Sequence, residues 1–257
     1  MRVRRLLLLP PLFVLLVTTQ ISCSRLKSSS ESSPAAPSSP SAHEIIDQIL
    51  NRYEKELGGK EAIDAITSYK LKGSFELLGM SGTMEGWRKE PHKTLSVIHF
   101  PRLGTMKKGF DGETHWVQTP AGTFTESEPQ EIAEMERDQE AFSASKIRSL
   151  FETLKLEHKA RLSGRDVYVI EGKPAQGPAE KLFFDVENGL LLRWDMARRR
   201  PKRGTVFVKV HFEDYRQVAG VKVPFKLRFA FESFNFNVKV DELQHNVAID
   251  DAIFRKP

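Results

Sequence analysis

From Ser68 to the C-terminus the chain is written in short runs of alternating apolar and polar residues separated by turn formers, a period of two that antiparallel sheet satisfies and helix does not. Strands are predicted over 69–78, 82–89, 93–100, 106–110 and 114–118, divided by Gly79, Pro91, 101–104 and the Asp111-Gly112 turn. They resume over 156–162, 166–173, 180–185, 190–196, 206–215, 222–232 and 234–243. Asn188-Gly189 between two of these runs predicts a hairpin, since this pair supplies the positive φ angles of a primed turn. Phe225, Leu227, Phe229 and Phe231 share one parity, and after Glu232-Ser233 the apolar set becomes Phe234, Phe236, Val238 and Val240. That switch predicts a tight turn between two strands that both turn a phenylalanine-rich face inward.

Before the strands, Ser41-Ala42-His43-Glu44 fits a capping box, and Ile45, Ile46, Ile49, Leu50, Tyr53 and Leu57 form one apolar stripe that Gly58-Gly59 ends. A second short helix is predicted over 60–66. The acidic segment from Pro129, with Ile132, Met135 and Phe142 on one face and Ile147, Leu150 and Phe151 following, predicts one or two helices inserted into the sheet. The expected fold is mainly β, of the α+β kind: a curved antiparallel sheet of about eleven strands forming an unclosed barrel around a few helices, with an apolar groove left between them. Seventeen phenylalanines against four tyrosines fit such an interior, because phenylalanine has no polar group to place.

The N-terminal residues carry an address. Arg2, Arg4 and Arg5, an apolar run over 6–17 and Ser22 before Cys23 predict a secretory signal over 1–22, too short to span a membrane as a stable helix. Gln20-Ile21-Ser22-Cys23 resembles the bacterial lipobox: Ser22 and Cys23 fit, Ile21 is tolerated, and Gln20 departs from the usual leucine. Cys23, the only cysteine, is therefore expected to be the lipid-attachment residue, followed by a Ser/Pro-rich linker to residue 42 and a folded domain over 43–257. Removal of the three leader arginines takes the net charge from +5 to +2, which leaves no electrostatic case for nucleic acid. Charge is uneven all the same: Arg198, Arg199, Arg200, Lys202 and Arg203 form a basic hairpin tip suited to an anionic membrane or a protein partner.

No catalytic constellation is legible. His43-Glu44 lacks the second histidine of a zinc-protease helix, and Gly79-Met80-Ser81-Gly82 has the wrong spacing for a nucleophile elbow and lies between strands. The seven histidines show no metal-ligand spacing, and there is no glycine-rich phosphate loop. The expectation is a protein without enzymatic activity, cofactor or metal.

The order of elements, with Leu57-Gly58-Gly59-Lys60-Glu61-Ala62, Gly109-Phe110-Asp111-Gly112-Glu113-Thr114, Lys181-Leu182-Phe183-Phe184-Asp185, Phe212-Glu213-Asp214-Tyr215, Gly220-Val221-Lys222-Val223-Pro224-Phe225 and a closing strand before His245-Asn246-Val247, resembles the outer-membrane lipoprotein-sorting (LolA/LolB-like) family. The resemblance implies an unclosed barrel with a hydrophobic cavity for the acyl chains of lipids or lipoproteins. It also implies a place in the bacterial envelope, and Ser24 after Cys23 favours the periplasmic face of the outer membrane by analogy. Phe225, Leu227, Phe229, Phe231, Phe234 and Phe236 are the expected cavity wall, with Trp87, Trp116 or Trp194 near its mouth. The competing reading is a non-enzymatic accessory module of an envelope protein complex, docking through a strand edge or the basic tip.

Overall fold

The computed structural model describes residues 41–125, 144–200 and 204–257, residues 125, 144, 145 and 198–200 by backbone alone. Thirteen strands form one antiparallel sheet: β1 (Ser68–Leu77), β2 (Met80–Lys89), β3 (Lys93–Phe100), β4 (Gly104–Phe110), β5 (His115–Gln118), β6 (Phe124–Thr125), β7 (Thr153–Leu162), β8 (Arg165–Lys173), β9 (Glu180–Asp185), β10 (Leu191–Arg200), β11 (Gly204–Val218), β12 (Val221–Ala230) and β13 (Asn235–His245). Their spatial order is β6-β5-β4-β3-β2-β1-β13-β12-β11-β10-β9-β8-β7. Two runs of hairpins are thus joined by one long-range pairing, β1 with β13. Strands β6 and β7 are the edges, so the sheet stays open. The count exceeds the expected eleven partly because the two-residue β6 is too short to show a period.

Helix α1 (Ala42–Leu57) begins as predicted, with the Glu44 amide donating to Ser41 Oγ at 3.3 Å and the Ser41 amide donating to Glu44 Oε2 at 2.6 Å. Its stripe of Ile46, Ile49, Leu50, Tyr53 and Leu57 is buried against the inner face of β8–β12, where Ile170, Leu182, Phe184, Leu191, Val210 and Phe212 complete one core. Tyr53 meets Phe184 edge-to-face at 5.3 Å. The helix ends at Gly58, whose φ of 124° suits only glycine, and a Cβ there would lie 2.3 Å from the Gly220 carbonyl of the β11–β12 turn. That close approach fixes the helix end on the sheet. Helix α2 (Lys60–Asp64) follows.

Of the predicted helical insertion, residues 144–150 form a 3-10 helix held to α1 by Arg148, which donates to Asn51 Oδ1 at 3.1 Å and pairs with Asp47. Its earlier part lies outside the described residues. The Asn188-Gly189 hairpin is present between β9 and β10, with Gly189 at φ 75° and Asp185 Oδ1 accepting from the Glu187 and Asn188 amides at 2.7 and 3.0 Å.

A second, smaller core lies on the opposite face of the sheet. Register places Trp87, Leu95, Gly109 and Trp116 in one row, and the 3-10 turn Asp251–Phe254 closes over it. Trp116 Nε1 donates to the Phe254 carbonyl at 2.8 Å, and its ring lies where a Cβ on Gly109 would sit, 2.3 Å away.

Candidate functional site

An apolar cavity of about 550 Å³ lies between the C-terminal half of α1, α2 and the inner face of β1, β11, β12 and β13. Leu57, Ile63, Ile66, Leu71, Val221 and Leu227 make much of its wall. It exists because β11 and β12 leave their alternation at one point. Asp214 takes φ 54°, so Glu213 and Asp214 both point to solvent, and Phe212 and Tyr215, three residues apart, both face the cavity. Opposite them on β12, Leu227 and Pro224 line the cavity in the same spacing. The Tyr215 hydroxyl donates to the Leu191 carbonyl at 2.8 Å, and burial pushes the hydroxyls of Tyr53 and Tyr215 up, so both stay neutral.

This kink decides where the phenylalanines go. Leu227 lines the cavity, while Phe229 and Phe231 pack against the core beside α1. Phe225, between Leu227 and Pro224, is not in the cavity wall; it is buried with the Arg216 guanidinium 4.6 Å from its ring. Phe236 belongs to a chain of rings, 5.6 Å from Phe229 and 5.8 Å from Phe75, with Phe75 in turn 5.0 Å from Phe100. Phe234 stacks on Phe231 at 4.5 Å in the β12–β13 turn, which the Phe231 amide closes onto the Phe234 carbonyl at 2.9 Å. The parity switch at 232–233 is therefore the tight turn expected.

None of the three tryptophans lines this cavity. Trp87 and Trp116 belong to the core on the other face, because Trp87 alternates with the inward Arg88 and shares one cross-strand row with Leu95, Gly109 and Trp116. Trp194 is buried beneath α1, its Nε1 donating to Glu180 at 2.7 Å.

The rim of the cavity is polar. Arg88, Glu90, Asp64, Lys146 and Lys222 border it. Arg88 donates to Glu90 at 2.9 Å, Lys222 to Glu56 at 3.1 Å, and Lys60 pairs with Asp64. Sequence reasoning gave none of these residues a role, and it put His245 just after the closing strand. Their convergence depends on the β1–β13 pairing of the chain's distant ends, for which no local signal exists.

The opposite end of the sheet differs. The β1–β2, β3–β4, β5–β6 and β10–β11 hairpins all turn there, and they carry every exposed large hydrophobic among the described residues: Leu78, Met80, Leu103, Phe124 and Phe207. Arg198, Arg199 and Arg200 end β10 at this side, opposite Val206, Thr205 and Gly204. Lys202, Arg203 and Cys23 lie outside the described residues.

No protein-family model matches the sequence, and no curated protein matches it. Solved structures do. A DUF1329 family protein from Desulfovibrio piger superposes with a TM-score of 0.55 at 16% identity, covering 82% of this chain and 97% of that one. A putative outer membrane lipoprotein-sorting protein domain from Vibrio parahaemolyticus gives 0.55 at 13% identity over 82% and 94%. A LolA superfamily protein from Nitrosomonas europaea gives 0.53 at 11% identity over 82% and 97%. At these identities the likeness is one of fold: an open, curved antiparallel sheet with helices on its inner face.

Proposed function

We propose that the protein is a non-enzymatic component of the bacterial envelope, exported on residues 1–22 and tethered through Cys23, whose 43–257 domain holds lipid or lipoprotein acyl chains as an acceptor or carrier. The observation that carries this reading is the apolar cavity between α1, α2 and a sheet that does not close. Burying an acyl chain in it contributes about 0.8 kcal/mol per methylene, enough for a chain of ordinary length to be retained. The shared fold with proteins described as lipoprotein-sorting and LolA superfamily members supports the same assignment. A tether of this kind favours an acceptor on the periplasmic face of the outer membrane over a diffusing carrier.

The hairpin end of the sheet supports the membrane or protein contact. Clustered apolar side chains on a surface mark interaction sites. Leu78, Leu103 and Phe207 are exposed at this end, and the sequence carries the basic run Arg198, Arg199, Arg200, Lys202 and Arg203 from the end of β10 toward β11, which suits an anionic surface. The second reading, an accessory module of an envelope complex, rests on this end alone. Native mass spectrometry of the protein purified from cell envelopes separates the two. Retained acyl lipid, released on unfolding, is the expected result; a ligand-free protein that takes up no fatty acid contradicts the first reading and leaves the second. Cys23→Ser is expected to release the protein from membranes, and unchanged fractionation contradicts the anchor.

A further inference from the structure

We infer that the polar end of the cavity seats the carboxylate of a single-chain fatty acid; this rests on the acyl-ligand reading above and names the class of molecule the cavity takes. Strand register carries the argument. Tyr69 on β1 is directly opposite His245 on β13 and directly opposite Arg88 on β2, so the three form one row across adjacent strands, and all three line the cavity. One position pair further into the sheet the same face carries Leu71 and Leu243, so the wall changes from polar to apolar within two residues.

The protonation states suit an acid. Burial pushes the Tyr69 hydroxyl up, with the Arg88 charge acting against it, so the phenol is an O–H donor at neutral pH. Burial lowers His245, the neighbouring Val218 carbonyl acting the other way, and the imidazole is neutral. Arg88 is the permanent cation of the row, its side chain 16% exposed and one terminal nitrogen on Glu90 at 2.9 Å. With five donors, a guanidinium holds Glu90 and a second acceptor together. His245 Nδ1 is buried without a hydrogen-bond partner, and a bound carboxylate satisfies it in the tautomer that places the proton there. At the rim, Arg88, Lys146 and Lys222 outnumber Asp64 and Glu90, which also favours an anion.

A carboxylate placed here accepts from Arg88 and from the Tyr69 hydroxyl, and from His245 in the tautomer that carries its proton on Nδ1. Its chain then runs along Leu71, Leu227 and Leu57. The volume of about 550 Å³ sits in the lower half of the range for small-molecule pockets, which suits one chain.

Calorimetry of the purified, delipidated full chain with palmitate and with hexadecanol, equal in chain length and different in head, tests this. Palmitate is expected to bind about tenfold or more tightly than hexadecanol, the worth of one charge-assisted hydrogen-bonded contact. Arg88→Gln is expected to weaken palmitate by tenfold or more and hexadecanol, which loses at most one neutral hydrogen bond, by clearly less, and Tyr69→Phe to weaken palmitate by a few-fold. Equal affinities in the unaltered protein, or equal losses for both ligands in Arg88→Gln, overturn the head assignment and leave the acyl reading standing. Binding of neither ligand overturns both.

Discussion

The two halves of the sheet differ in what covers their inner face, although β8 and β9 also bury Val167, Val169 and Phe183 on the other side. Strands β8–β12 bury their inner face under α1 and the 144–150 helix, with Ile147, Ile170, Leu182 and Phe184 fully enclosed. Strands β2–β5 bury their outer face instead, under the C-terminal turn that Phe254 plugs. Their inner face, where register aligns Met84, Ile98 and Met106 with Gly73, two residues along β1 from the cavity-lining Leu71, is only half-buried at these positions. A single continuous sheet therefore has one side committed to stability and another with apolar surface left over. The cavity lies where the helix-covered region ends, under β1 and β13.

Truncation at matched inner-face positions gives the largest contrast. Phe184→Ala, in the enclosed half, is expected to cost about 3–5 kcal/mol. Met84→Ala, on the half-buried inner face of β2, is expected to cost about 1 kcal/mol. Urea unfolding of the two variants measures this, and equal losses would show that the inner face is covered throughout.

The outer-face core gives a smaller effect. Trp116→Phe removes the donor to the Phe254 carbonyl and leaves that buried acceptor unpaired, at a cost of about 1–3 kcal/mol by the same assay. A change below a few tenths of a kcal/mol would mean that the C-terminal turn does not depend on this bond. Ser41→Ala, which removes the α1 cap, is expected to cost about 1 kcal/mol, read as a lower unfolding midpoint with an unchanged denaturant slope.

The smallest effect is a local one with pH. Asp251 holds the C-terminal turn to Lys89 at 2.7 Å and Lys93 at 2.6 Å, and these bonds and charges bring its carboxyl down to about 2. A depressed carboxylate contributes stability that is complete above its ordinary value of 3.8 and is lost as pH falls through about 2. Trp116 fluorescence is thus expected to hold steady at pH 5 and to change between pH 4 and 2. Asp251→Asn should abolish that transition, and its persistence in the variant would assign it to another group.

Most of the fold was legible because its signals are local. Alternation marked the strands, the Ser41 capping box marked α1, and Asn188-Gly189 and the parity change at 232–233 marked two hairpins. The site was less so, for three physical reasons. Alternation says that two faces exist and not which one is inner, so Trp87 and Trp116 were expected beside the cavity and lie on the other face. A positive φ at Asp214, a residue that tolerates it, breaks the parity on which the Phe225 expectation rested. The Arg88, Tyr69 and His245 row needs the pairing of the first strand with the last, across more than 170 positions.

The central claim is that the cavity is a ligand site and not a packing defect. Leu227→Trp, which fills it from the β12 wall, tests this most directly when palmitate binding and thermal unfolding are measured on the same sample. The account predicts that the filled variant stays folded, with an overpacking loss of about 1–3 kcal/mol at most, and loses palmitate binding by tenfold or more. A folded Leu227→Trp protein that binds palmitate as tightly as the unaltered chain would contradict it.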